Sequence, residues 1–399
     1  MIPVYDVIIV GARCAGASTA LLLARQGVRV LLADRVVFPS DTVSTHLLHP
    51  AGVAHLRRWG LLDALLADGL PRIESIAFQP APDLTLRAAP YPAADGSTLV
   101  LAPRRTKLDL LLVEAATAAG ADIREGVSFQ RPVWQGGRVV GAEFRDRDGH
   151  SHYEECALLI GADGRHSEVA KAVGAQVIRD EGNFGCQYYG YWSGLPDQGA
   201  QVFVGEGRAV LAFPTHAGSH LVMVGWPRER FEEVKRDVER FFLDEVEALA
   251  PEVRGYLTEE NRRARIVGSG DMANQIRTSA GPGWVLAGDA AVAKDAVTAQ
   301  GIGDAFAQAQ SLADLLPAAL AGGPAAVDAA TEAHVARRDR DGATAFETTV
   351  AFATGGGGGA LAPIFRAIHD RPELISMFFG VYAGRVGMGE FAAAVAAAG

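Results

Sequence analysis

The chain holds only three cysteines in 399 residues, Cys14, Cys156 and Cys186. They are widely spaced and odd in number, so they outline neither a disulfide framework nor a metal motif. No metal is expected, and a reducing cytoplasm is the expected setting. Long apolar runs are also missing: none approaches the ~20 residues of a membrane-spanning helix, and the chain opens into a strand without a basic leader. Neither a transmembrane segment nor a signal peptide is expected. Positive charge is scarce, with 37 Lys and Arg against 47 Asp and Glu for a formal net charge of −10. That balance argues against nucleic acid or an anionic membrane as a partner. Glycine is plentiful at 46 residues. One tract, 355–359, is glycine throughout and reads as a mobile loop or the hinge of a lid; other glycines close short apolar runs.

The most informative of those runs lies in residues 5–35, YDVIIVGARCAGASTALLLARQGVRVLLADR. The apolar stretch 7–10 suits a buried parallel strand, and Gly11 ends it abruptly, as a sharp turn into a helix requires. A helix is predicted over 14–26, with small residues Ala15, Gly16, Ala17, Ala20 and Ala24 allowing close approach to a sheet and Gly27 ending it. A second strand is predicted over 28–33. Asp34 closes it about where a carboxylate accepts hydrogen bonds from an adenosine ribose in a dinucleotide-binding βαβ unit. The expected Gly-x-Gly-x-x-Gly reads Gly11-Ala12-Arg13-Cys14-Ala15-Gly16, so Arg13 replaces the middle glycine. Helix amides and the helix dipole still face a diphosphate, and the guanidinium either supplements them or shifts the phosphates outward. Gly11, Arg13, Ala15, Gly16, Asp34 and Arg35 are the expected contacts here.

Past Asp34 the chain is polar to His46, then helical in character over 47–66. Either Asp41, Ser44 or Thr45 caps that helix and His46 is a satisfied structural histidine, or Ser44, Thr45 or His46 faces a flavin or substrate. Residues 73–101 alternate like strands and carry edge prolines. Arg104 and Arg105 open a helix predicted over 108–119. A basic cluster at a helix start opposes the dipole, so Arg105 either contacts an anionic cofactor or joins a solvated face. Residues 129–144 read as a glycine-marked meander. A strand over 156–160 meets the tight turn of Asp163 and Gly164, which also occurs as an ordinary β-turn.

Alternation over 186–192, 199–204, 209–213 and 220–226 predicts a second, antiparallel sheet, followed by an amphipathic helix over 231–250. The sheet's aromatics, Tyr188, Tyr189, Tyr191, Trp192, Phe203 and Phe213, suit a core or the wall of a pocket. A third strand end carries Gly288-Asp289. It is followed by Lys294, Asp295 and the helix mouth Gln300-Gly301-Ile302-Gly303, whose glycines free backbone amides for an anion or carbonyl.

Three strand-end signatures in this order resemble the FAD-dependent monooxygenases of the para-hydroxybenzoate hydroxylase fold, a group that also holds geranylgeranyl reductase-like enzymes and flavin-dependent halogenases. The resemblance covers roughly residues 5–316. It implies an α/β fold in which a Rossmann-like FAD-binding domain (1–72, 101–174 and 276–342) is interleaved with a β-sheet substrate domain (73–100 and 175–275), before a helical C-terminal segment (343–399). In the resemblance Gly11, Gly16 and Asp34 hold the ADP part of FAD, and Arg105, four residues before Asp109, contacts the cofactor. Asp163-Gly164 lies near the pyrophosphate and the nicotinamide nucleotide, Asp289 at the flavin-side ribose, and Gln300 to Gly303 at the pyrimidine end of the ring. The usual Pro and His of that loop are Ala296 and Val292 here.

The implied activity is a monooxygenase using NAD(P)H and O2 on a small, aromatic or polyketide-like substrate. A C=C reductase and a non-catalytic flavin-binding protein are the alternatives. A halogenase is disfavoured because no Trp-x-Trp-x-Ile-Pro-like segment is present. An external flavin reductase is a further expected partner. For catalysis the candidates are His46, Thr45 and Asp295, none of them assigned a base's role.

Overall fold

The computed structural model describes residues 5–355 and 361–398, so the glycines 356–359 of the expected mobile loop lie outside the described residues. Strand β1 (Val7–Val10) is buried along its whole length and turns at Gly11 into helix α1 (Cys14–Ala24), whose eleven residues are all buried. β2 (Val30–Asp34) comes next, and helix α2 (Arg105–Ala118) packs beside α1. β3 (Leu158–Gly161) and β4 (Trp284–Leu286) complete the centre of a six-stranded sheet, and helix α3 (Gly301–Ala321) lies across α1.

The sheet runs Ala280–Gly281, β4, β3, β1, β2, Asp122–Glu125, parallel except for its first pair. Register sets where the strands end. Val10 sits opposite both Ala33 and Gly161, and Leu286 sits opposite Gly161. The turns after β1, β2, β3 and β4 therefore leave one edge together, where open parallel sheets bind their ligands.

The two β-rich stretches meet in a second, seven-stranded sheet. Its strands are antiparallel except that Ala200–Gly205 runs parallel to Ile76–Ala81. Alternation along Gly185–Ser193 sorts the aromatics. Tyr188 and Trp192 pack with Phe203 and Trp226 under helix Val238–Leu249. Tyr189, Tyr191 and Phe213 face the opposite side, among Phe78, Phe365 and Phe378. The C-terminal helices Ala362–Ala367 and Pro372–Tyr382 cover part of that second face.

Several expected boundaries move for local reasons. The helix expected over 231–250 is two, Phe231–Val234 and Val238–Leu249, because the Asp237 carboxylate accepts from Arg240 N at 3.4 Å and starts a new helix. The helical stretch 47–66 likewise divides into Pro50–Arg58 and Leu62–Ala67 at Gly60, φ +74°. The helix expected from 108 begins at Arg105. Gly136 and Gly137 make the expected hairpin turn, both at positive φ. Gly141 instead lies inside a strand, where a Cβ would stand 2.3 Å from the Glu154 carbonyl oxygen. A helix of 30 residues, Pro324–Ala353, carries the chain continuously past position 342.

A Cβ on Gly16 would lie 1.8 Å from the Gly11 carbonyl oxygen. Gly16→Ala is expected to cost at least about 2 kcal/mol, read as a lowered midpoint in thermal or urea unfolding with coincident loss of bound FAD.

Candidate active site

The edge where β1 to β4 end is a groove built from backbone. Gly11 adopts φ +100°, donates its N–H to Ala33 O at 2.8 Å, and leaves no room for a side chain, since a Cβ would meet Ala162 O at 2.4 Å. Gly288, φ +62°, brings the turn after β4 against α1, where a Cβ would stand 2.9 Å from that of Ala15. Its N–H is held by Gln308 Oε1 at 2.8 Å. Asp34 accepts from Ala12 N at 2.7 Å and Val36 N at 2.9 Å, which ties the end of β2 to the glycine turn. Arg35 is exposed. The glycine cradle, the start of α1 and a carboxylate at the end of β2 fit the ADP half of FAD, and side chains at Gly11 or Gly288 would fill that space.

Arg13 is accounted for by Asp109, whose sequence signal was only its spacing from Arg105. The Asp109 carboxylate has no solvent exposure and takes Arg13 Nη1 at 2.7 Å, Arg105 Nε and Nη2 at 3.1 and 2.9 Å, and the Cys14 thiol at 3.3 Å. Two guanidiniums on one carboxylate leave one net positive charge behind the glycine turn. Arg13 also donates to Ser40 O at 3.2 Å and Asp41 O at 3.0 Å. It thereby joins the turn, α2 and the segment after β2. Burial raises the Cys14 thiol well above its ordinary range, so it serves as a small buried donor. The i, i+4 spacing pairs Arg105 with Asp109 along one helix face. Nothing local showed that Arg13 would join them.

Asp163 accepts from Ser167 Oγ at 2.5 Å and from the amides of Glu168 and Val169 at 2.7 and 3.1 Å. Its carboxylate thus caps the short helix after the turn, while Gly164 at φ +80° completes that turn. Arg165 reaches from here to Lys294 O and Asp271 O, both at 2.9 Å, and stands 3.9 Å from the Asp289 carboxylate. Asp289 remains 43% exposed at the groove, and Arg277 holds its carbonyl at 3.3 Å. Arg165 and Arg277 had no sequence signal.

The helix mouth is equally constrained. Gln300 is anchored by Lys294 Nζ at 2.6 Å and donates to Tyr382 O at 2.8 Å, so the C-terminal helices help place it. Lys294 also pairs with Asp304 at 2.7 Å. Gly301 is exposed while Ile302 is buried. Gly303 lies against Gly52, where a Cβ would be 3.4 Å from the Gly303 Cα. Asp295, 6% exposed, accepts from Val297 N through Oδ1 at 2.9 Å. Its Oδ2 is buried with no partner among the described residues. Burial pushes the carboxyl up to about 6.

A cleft of about 340 Å³ opens next to the second sheet, lined by Asp41, Thr42, Val43, Tyr189, Tyr191 and Val267 among others. His46 lies behind it, fully buried at φ +63°. Its Nδ1 bonds Ser44 O at 2.7 Å, so that nitrogen carries the proton, and Nε2 accepts from the Tyr191 hydroxyl at 2.7 Å. Burial drops the imidazole to about 3, so the ring is neutral. Burial also raises Tyr191 far above the usual phenol range, and raises Tyr189 to about 12. The Arg104 guanidinium lies 4.1 Å from the centre of the Tyr191 ring. Thr45, next to His46 in the chain, is half-buried. His46 and Thr45 are therefore placed near the cleft, whereas Asp295 belongs to the loop before the helix mouth.

The groove and its cradle fit a flavin-adenine dinucleotide. The chain belongs to the FAD binding domain family, matching it over residues 4–344, and its class is that of the FAD-dependent oxidoreductases. Similar proteins include a 6-methylpretetramide 4-monooxygenase of Streptomyces rimosus, 33% identical over 178 residues, 44% of this chain and 31% of that protein. Digeranylgeranylglycerophospholipid reductase 2 of Methanothermobacter thermautotrophicus is 29% identical over 183 residues, 43% of this chain and 42% of that one. The chain spans less than half the length of either relative. Among solved structures, the flavin-dependent brominase Bmp2 aligns at TM-score 0.81 and 16% identity over 99% of this chain and 98% of that one. PqsL of Pseudomonas aeruginosa, described as a probable FAD-dependent monooxygenase, aligns at 0.73 and 20% over 94% and 99%. These two likenesses are of fold.

Removing Asp109 leaves the buried Arg105 guanidinium without its partner, beside the partly exposed Arg13. Asp109→Ala is expected to destabilise by about 3–5 kcal/mol, seen as a lower denaturation midpoint even with FAD in excess. Asp295 acts in the opposite sense. Its folded carboxyl titrates near 6 against an ordinary 3.8, so the fold loses stability as pH rises through that interval, by about 3 kcal/mol once fully ionised. Asp295→Asn should therefore match the wild type in stability near pH 4 and exceed it at pH 8, measured by urea unfolding at both pH values.

Proposed function

We propose that this chain is a FAD-dependent monooxygenase that uses NAD(P)H and O2 on a small aromatic or polyketide-like substrate. The supporting observation is the cleft walled by Tyr189 and Tyr191, with a neutral histidine bonded behind Tyr191. A flat, hydroxylated substrate suits such walls, because tyrosine faces stack on rings while their hydroxyls orient polar edges. The name of the Streptomyces relative, a monooxygenase, supports the same reading. Residues 1–72, 101–174 and 276–342 bind FAD in this reading, 73–100 and 175–275 hold substrate, and 343–399 buttress the helix mouth through Tyr382.

When bound, FAD supplies the redox chemistry. Gly11, Gly16, Asp34, Arg105, Gly164, Gly288, Asp289 and the amides of Gly301 to Gly303 would hold it. The chain's own part at the substrate is orientation. His46 keeps its proton on Nδ1, where Ser44 O accepts it, and this fixes Nε2 as an acceptor. Tyr191 donates to Nε2, so the lone pairs of its oxygen stay available to a substrate hydroxyl. With a phenol this hard to ionise, Tyr191 positions the substrate and holds its own proton.

The reduced, unpaired state of all three cysteines fits a cytoplasmic setting. The name of the archaeal relative favours a second reading, saturation of a C=C bond. Anaerobic addition of NADH or NADPH decides the reductant: bleached flavin bands establish direct reduction, and bands that persist until a flavin reductase is added establish an external one. Product carrying oxygen from ¹⁸O2 is the expected outcome with the true substrate. Full product formation under argon would overturn the monooxygenase and favour the reductase. Tyr191→Phe is expected to lower kcat/KM about 5- to 10-fold, the worth of one hydrogen bond, at unchanged flavin content.

A further inference from the structure

A second cleft, of about 290 Å³, lies between helix Pro50–Arg58 and Arg385, lined by His55, Arg57, Arg58, Arg385, the carboxylate Asp95 and alanines that include Ala51 and Ala54. We propose that it binds the phosphate monoester of a small molecule. Of its three arginines, Arg57 is neutralised: it pairs with Asp95 and donates to Ser97 Oγ at 3.0 Å. Arg58 and Arg385 have no ion pair and no side-chain hydrogen bond among the described residues. His55 Nδ1 is buried there without a partner. Burial, reinforced by the charges of Arg58 and Arg385, which line the same cleft, lowers His55 to about 4. At neutral pH the cleft therefore offers two unpaired cations beside a neutral imidazole. That set matches the roughly −1.5 to −2 charge and several acceptor oxygens of a phosphate monoester better than the single charge of a carboxylate or diester.

The charge here is local, because the chain as a whole carries −10. The cleft is also placed to matter. The helix that carries Arg58 packs through Gly52 on Gly303, and Gly384, next to Arg385, lies against Gln300, where a Cβ would stand 3.0 Å from Nε2. The cleft thus borders on two elements, carrying Gly52 and Gly384, that pack on the helix mouth. The inference stands whether the reaction is oxygenation or reduction. A cleft of this size seats a phosphate and the few atoms bonded next to it, and leaves the remainder of the molecule outside.

The test is calorimetric titration of the FAD-loaded protein with inorganic phosphate in a chloride buffer, repeated with Arg58→Gln, Arg385→Gln and the double variant. Unchanged flavin spectra in the variants confirm that they fold. Binding that weakens at least about ten-fold in each single variant, and weakens further with salt, supports the site. Phosphate binding absent up to about 10 mM, or equal in wild type and double variant, overturns it. Competition assigns the source. Displacement by NADPH but not NADH identifies the 2′-phosphate of the nucleotide, and displacement by neither identifies a phosphorylated substrate, both supporting outcomes. Equal displacement by NADPH and NADH would mean recognition of a diphosphate and would overturn the monoester assignment.

Discussion

The close approach of backbone to backbone at the end of β1 is the constraint on which the remainder of the molecule depends. Gly16 brings α1 to van der Waals contact with the Gly11 carbonyl, and Gly11 in turn sits against the turn after β3. Side chains at either position would push α1 off the sheet or push β3 away from β1. Since α1 is buried on every side between the sheet, α2 and α3, its displacement would disturb the sheet and both helices. The same lack of side chains leaves amides and a helix terminus facing an open groove. Packing and cofactor binding thus share one cause.

Charge organises the layer behind that groove. A single buried carboxylate, Asp109, collects Arg13 and Arg105, and Arg13 extends from it to the backbone of Ser40 and Asp41. Asp41 lines the tyrosine cleft. The residue that interrupts the glycine pattern therefore links the glycine turn to the side of the tyrosine cleft, through hydrogen bonds that a glycine could not make. Arg165 does comparable work across the groove, joining the Asp163 turn to the Lys294 loop. In each case a long cation bridges segments that the chain supplies far apart.

Elements with strong local signals were readable in the sequence. The run of Val and Ile ending in Gly11, the small-residue helix, and the period-2 alternation of residues 186–192 each carry their conformation in their own side chains. The signals failed where one residue's partner decides the outcome. Asp237 divided a helix that periodicity alone would continue. Tyr188 and Tyr189 looked alike in sequence, yet one went under a helix and the other to the cleft, because adjacent strand residues face opposite ways. Asp163, read as a cofactor contact, has its carboxylate engaged in capping a helix.

From sequence alone came the βαβ unit, the order of the strand ends, the α/β class and the FAD-dependent family, because these rest on spacing, turn glycines and hydrophobic period, which are properties of short segments. Only the tertiary structure decided that Asp109 holds Arg13, that His46 stands neutral behind Tyr191, that Gln300 is placed by Tyr382, and that Arg58 and Arg385 share one cleft. Each of these pairs residues separated by many positions in the chain. Their charge state and partners depend on burial and on what packs opposite, and neither quantity exists before the sheets have formed.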